Sequence, residues 1–123
     1  MTMTYTNAQW ESMDAELTKL IKEKITLPVC VSYAICRNRL TIERALDAYR
    51  MTRDDVIGTY SNGKGQITQQ DDPELFDKVC QEIAVIAAIP VSLDITTIEL
   101  SELMNCGQLP LHIVAALSFM IIE

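Results

Sequence analysis

The sequence predicts an all-α domain, a compact bundle of five to seven short helices spanning residues 1–123 as one unit, with a helix-turn-helix-like hairpin in its middle. Three observations predict it. Apolar residues recur at three- and four-residue steps in most segments, Pro and Gly sit between those segments, and only 6% of residues are aromatic against 49% apolar. A chain of 123 residues is long enough to bury about two-thirds of its unfolded surface in one core.

In chain order, the first helix is expected over Asn7 to Lys24, with Trp10, Met13, Leu17, Leu20 and Ile21 on its inner face, ending ahead of Pro28. The run from Pro28 to Leu40 starts with a favoured first-turn residue and reads as a buried helix, although Val29 and Val31 also allow a short strand. Ile42 to Arg50 follows as a helix buried through Ile42, Ala45, Leu46 and Tyr49. Thr52, with Asp55 three positions on, resembles a capping box opening another helix, buried through Val56, Ile57 and Tyr60. Only Met51 and Thr52 separate those two, which is the spacing of a helix-turn-helix. Asp72 and Pro73 open a helix with Leu75, Phe76, Val79, Ile83 and Ile86 inward, closed by Pro90. A short helix ending at Gly107 and a largely apolar one from Leu109 complete the bundle.

Charge divides the chain into three parts. Residues 1–24 carry net −1, residues 25–69 net +2, and residues 70–123 net −8, with Lys78 alone against nine acids. The central cations are mostly Arg, the side chain suited to bidentate phosphate contacts, while the acidic third would repel nucleic acid.

The stretch Gly58 to Gly65, GTYSNGKG, matches most of a phosphate-binding loop. It lacks the hydroxyl that must follow Lys64 and has neither a strand before nor a helix after it, so it reads as a turn ending a helix. Cys30, Cys36, Cys80 and Cys106 lack the close spacing of a zinc site and read as reduced thiols packed as small hydrophobes; no metal or cofactor is expected. His112 is the single imidazole, with Cys106 six residues earlier and no nearby acid in sequence to orient it, so the chain is expected to be non-enzymatic, with no small-molecule substrate. The N-terminal stretch lacks a secretory signal, and the longest apolar runs, Ile83 to Val91 and Leu109 to Ile122, are too short for a membrane span. A cytoplasmic location is the expectation.

The run LTIERALDAYRMTRDDVIGTY, followed by PELFDKVCQEI, resembles phage small-terminase proteins and related helix-turn-helix regulators. In that family a DNA-binding hairpin precedes helices used for oligomerisation. The resemblance implies a packaging or regulatory DNA-binding protein of the host cytoplasm or virion. It departs from the pattern in having Tyr49 and Arg50 where a glycine usually turns the chain, and Asp54 and Asp55 where phosphates would approach. On this reading Arg53 and Asp54 reach base edges, with Thr52 near the phosphates and Thr59 further along, Arg37, Arg39, Arg44 and Arg50 flank the backbone, and Lys64 contacts phosphate from the exit loop. The alternative is an acidic protein-interaction module, an assembly adaptor or DNA-mimicking inhibitor without DNA binding. Its candidate surface is Asp71, Asp72, Glu74, Asp77 and Glu82. A protein partner or a second copy is expected in either case.

Overall fold

A computed structural model describes residues 1–61, 67, 68, 70, 72–105, 107 and 109–123. The chain begins with a strand, β1 (Thr2–Thr6), and runs directly into α1 (Asn7–Lys22). The junction is a capping box. Thr6 Oγ1 accepts from the Gln9 amide at 3.2 Å and Gln9 Oε1 accepts from the Thr6 amide at 2.9 Å, which satisfies two of the helix's orphan donors. Trp10, Leu17 and Leu20 are buried along α1 as their spacing predicts. Ile21, expected inward, is largely exposed, and the buried stripe also takes in Asn7 and Asp14.

The central element departs most from expectation. The three short helices read between Pro28 and Tyr60 are one helix, α2 (Val29–Tyr60), of 32 residues. At 1.5 Å per residue it runs about 48 Å. No turn occurs at Met51–Thr52, so the structure contains no helix-turn-helix hairpin there. The reason is local. The segment has neither Pro nor Gly before Gly58, and the Thr52 hydroxyl, instead of capping a new helix, donates to the Ala48 carbonyl at 2.8 Å, one turn back. Thr41 does the same to Arg37 at 3.1 Å. The continuous helix buries Val31, Ala34, Ile35, Asn38, Ile42, Leu46 and Tyr49 on one face.

α3 (Pro73–Ala87) starts as expected, with Pro73 in its first turn and the Asp72 carboxylate accepting from the Leu75 amide at 3.1 Å. Pro90 does not merely end it. It opens strand β2 (Pro90–Asp94), which pairs antiparallel with β1 from Thr2 opposite Asp94 to Thr6 opposite Pro90. Proline is tolerated at the first residue of a strand that lies at a sheet edge, and both strands of a two-stranded ribbon are edges. The all-α expectation therefore holds for the bulk of the chain and is corrected by two small sheets.

In the second sheet β3 (Ile98–Glu99) lies parallel to β4 (Ile121–Ile122). Between them come α4 (Leu100–Met104), α5 (Leu111–Leu117) and one turn of 3₁₀-helix over Ser118–Met120. The last helix expected from Leu109 onward is thus cut short, and its apolar end becomes a strand. Gly107 carries a φ of 79°, the left-handed region where only glycine is unstrained, and turns the chain between α4 and α5.

α1 packs on α2 and α5, and α2 also supports α3, β2 and β3. Trp10, Leu17, Ile42, Leu46, Ile95, Ile113, Leu117 and Met120 are fully buried where these elements meet. Each large side chain removed from water there contributes about 1.5–3 kcal/mol. Trp10 also donates from Nε1 to the Val91 carbonyl at 2.9 Å and meets the Tyr5 ring edge-on at 5.1 Å, tying the ribbon to the core.

Two buried amides hold the irregular segments. Asn7 donates from Nδ2 to the Ile86 carbonyl at 2.9 Å, while its backbone amide donates to Ile89, which fixes the end of α3. Asn38, fully buried, accepts the Thr96 amide proton on Oδ1 and donates from Nδ2 to the Thr96 carbonyl, both at 2.8 Å. One side chain therefore closes both hydrogen-bonding groups of a connecting residue that no strand partner satisfies. Among the described residues no helix is long and apolar enough to cross a membrane.

Candidate functional site

The phase of α2 decides what its arginines can do. Arg50 and Arg53 lie on the flank turned toward α1, where Glu11 and Asp14 wait. Arg53 Nη1 contacts both oxygens of Glu11, at 3.2 and 3.1 Å, and Arg50 reaches Glu11 at 3.5 Å and Asp14 at 3.3 Å. The Arg53 guanidinium also lies over the Tyr49 ring, 5.1 Å from its centre. Burial works against the charge on Arg53, but Glu11 and Tyr49 outweigh it, so its pKa lies above the usual arginine value. Asp14 is the most buried member of the group, and its second oxygen, Oδ1, is buried with no hydrogen-bond partner among the described residues. This four-charge cluster joins α1 to α2 and consumes Arg53, assigned to the bases, and Arg50, one of the four arginines assigned to the phosphate backbone.

The remaining candidates scatter. Arg39 turns toward α1 as well, donating from Nε to Thr18 Oγ1 at 3.1 Å and approaching Glu43 at 3.9 Å. Arg37 donates to the Tyr33 hydroxyl at 3.2 Å and is exposed, as is Arg44. Thr52 and Thr59 are exposed, with the Thr52 hydroxyl already donating within the helix. Lys64 lies outside the described residues. The eight proposed DNA contacts thus form no single face: Arg37 and Arg44 look outward, while Arg39, Arg50 and Arg53 look toward α1.

The acidic set is more coherent. Glu74 and Asp77 project from the exposed side of α3, and Asp72 precedes them as its cap. Glu82 accepts the Tyr60 hydroxyl proton at 2.9 Å, linking α3 to the end of α2. That bond, held by the neutral phenol, raises the Tyr60 pKa above its ordinary value. Asp71 lies outside the described residues. Beside this face Val85 and Ile89 are exposed at 67% and 46%, so the carboxylates border an apolar rim.

His112, read as lacking a nearby acid, has one in space. Its Nε2 lies 3.0 Å from Glu23 Oε2, at the C-cap of α1, 89 positions away. Both are well exposed and Cys106 lies outside the described residues, so the pair is a surface link between α1 and α5. Cys30, Cys36 and Cys80 are exposed free thiols, not the packed hydrophobes expected. Among the described residues no group of three or more His, Cys, Asp or Glu is placed to hold a metal ion. A cleft of about 190 Å³ between the end of α1 and the start of α2, lined by Leu20, Ile25, Leu27 and Ile35, is small beside the roughly 300–1,000 Å³ of ligand pockets.

Sequence reasoning missed Asn38 because an amide within an arginine-rich run looks like surface, yet it occupies the same helical face as Ile35 and Ile42. That periodicity was the available signal. In comparisons with known proteins, no family model, no curated protein and no solved structure matches this chain.

Proposed function

We propose that the chain is a non-enzymatic, acidic protein-interaction module whose α3 carboxylate face receives a partner with a basic surface. One observation carries this reading: Arg50 and Arg53 are held by Glu11 and Asp14, so two of the five arginines of the middle segment serve the fold. The surface that remains strongly charged is acidic. Residues 70–123 hold nine acids against Lys78, and Glu74 and Asp77 stand clear of the body on α3. A face of this sign speeds encounter with a basic partner and repels nucleic acid.

The test has two arms. Fluorescence anisotropy of a labelled random duplex at low salt should show no binding, because the outward arginines, Arg37 and Arg44, share their side of α2 with Asp47 and Asp55 and form no continuous basic face. A labelled basic peptide should bind at low salt, weaken as salt rises, and bind less tightly to a Glu74→Lys, Asp77→Lys variant than to a Glu99→Lys, Glu123→Lys control of equal charge. Salt-dependent duplex binding lost in an Arg37→Glu, Arg44→Glu variant would overturn the proposal in favour of a DNA-binding role. Equal weakening in both acidic-to-lysine variants would remove α3 as the contact face.

A further inference from the structure

The outward face of α2 is a second surface, and its pattern names its own partner. Val29, Tyr33, Leu40 and Met51 are 84%, 61%, 52% and 69% exposed along one stripe of the helix. On a 3.6-residue helix Tyr33 and Met51 are about five full turns apart, as are Leu40 and Gly58, and Arg37 and Asp55. The stripe therefore repeats along one line instead of drifting around the helix. Between its apolar residues stand Arg44 and Asp47, also exposed.

Reversed end to end, this stripe complements itself. About a point midway between Ala45 and Leu46, Leu40 is the counterpart of Met51, Arg44 of Asp47 and Tyr33 of Gly58. Two helices related by a two-fold axis through that point, perpendicular to both, bring like flanks together. Arg37 and Asp55, which share a flank, then come opposite each other within one residue's rise. We infer that a second copy of this chain docks antiparallel on the outward face of α2, Leu40 against Met51 and Arg44 against Asp47, with the axis near Ala45.

Gly58 gains a reason from this arrangement. Glycine in a helix interior costs about 0.5–1 kcal/mol relative to alanine, and a Cβ at Gly58 would meet nothing within 4 Å in its own chain. Among the described residues nothing in the protomer requires the missing side chain, whereas the Tyr33 ring of the other copy would lie over it. A parallel arrangement sets Arg44 against Arg44 and Asp47 against Asp47, so the same charges select the antiparallel one. The dimer face is separate from α3, and the two surfaces stand or fall independently.

Analytical ultracentrifugation tests the inference through charge reversal. The unmodified chain should sediment as a dimer at about 0.1 mM and dissociate towards monomer on dilution. Arg44→Asp alone and Asp47→Arg alone each place like charges opposite one another at two symmetry-related sites, and each should weaken self-association by about tenfold or more. Mixed one to one, the two variants regain opposite charges at both sites and should form a heterodimer as tight as the original. Circular dichroism verifies that each variant keeps its helix content, as expected for exposed positions. A Leu40→Glu variant should abolish the dimer without changing the fold. A monomeric parent chain, single variants that dimerise normally, or a mixture that does not regain association would each overturn the inference.

Discussion

Replacing Asn38 by alanine should be among the most damaging single changes in this protein. The side chain is 0% exposed and spends its amide on Thr96, accepting from one backbone group and donating to the other at 2.8 Å. Its Nδ2 also lies 3.4 Å from the Met120 sulfur. Asn38→Ala leaves the Thr96 amide and carbonyl without partners, and each orphaned group costs about 1–3 kcal/mol when water cannot reach it. Thr96 is half-buried, so the lower part of that range applies to each. Adding the void left in the core gives about 3 kcal/mol in total. For a domain of this size that lowers Tm by roughly 10–15 °C. Circular dichroism at the helix band and fluorescence of the single tryptophan, Trp10, should report the same transition. Asn38→Asp separates the two bonds, because a carboxylate can accept the Thr96 amide proton but cannot donate to its carbonyl. Burial would raise the pKa of the new carboxyl, so the variant should be closer to wild type at acid pH, where the neutral acid can donate, and lose stability as pH rises. A fall of under about 3 °C for Asn38→Ala would refute the reasoning, since it would mean that Thr96 finds other partners at no cost.

Three further outcomes are expected. Arg53→Glu sets a carboxylate against Glu11 and removes the contact with Tyr49, and should lower stability by about 1–3 kcal/mol, read as a lower urea midpoint with an unchanged slope. Because the neutral Tyr60 phenol donates to Glu82 and its pKa is raised, that tie is fully present below the ordinary tyrosine pKa and lost as pH rises through the folded value; ultraviolet titration of Glu82→Gln should show the Tyr60 step, identified by its absence in Tyr60→Phe, moving to lower pH. Gly58→Ala, measured in the monomeric Leu40→Glu background, adds a methyl group to open space on a helix and should raise Tm, corresponding to about 0.5–1 kcal/mol; a lower Tm there would show that the position is crowded within the protomer.

The legible parts of the fold are those whose ends are written in side chains. α3 starts at Pro73 behind an Asp72 cap, and both are visible in the sequence. α1 starts at Asn7, and its inner residues Trp10, Leu17 and Leu20 follow from spacing alone. The first strand is passed over by the all-α reading, although Met3 and Tyr5 alternate with Thr2, Thr4 and Thr6 at a period of two in β-favouring residues. What that stretch could not reveal is its partner, which lies some 90 positions away at Pro90–Asp94. The acidic candidates on α3 were legible for the same reason as the helix itself. Glu11 and Asp14 as the acceptors of Arg50 and Arg53 were not, since pairing across 36 to 42 positions depends on how α1 crosses α2.

The misreading at Thr52 shows how much rests on one hydroxyl. Threonine near an acidic residue opens a helix when its Oγ accepts a backbone amide, and sits inside a helix when its Oγ donates to the carbonyl four residues back. Both states suit the same sequence, and the second occurs here because nothing between Arg50 and Arg53 breaks the backbone ladder. The functional consequence follows from helical phase. With α2 unbroken, Arg39, Arg50 and Arg53 share the flank facing α1, while Arg37, Arg44, Asp47 and Asp55 share the outward side with Leu40 and Met51. A turn at Met51–Thr52 would have reset that phase and freed Arg53 to reach a groove. Its absence places Arg39, Arg50 and Arg53 at the edge of the core, and leaves Arg37, Arg44, Asp47 and Asp55 outside as the balanced set of charges on which the inferred self-docking rests.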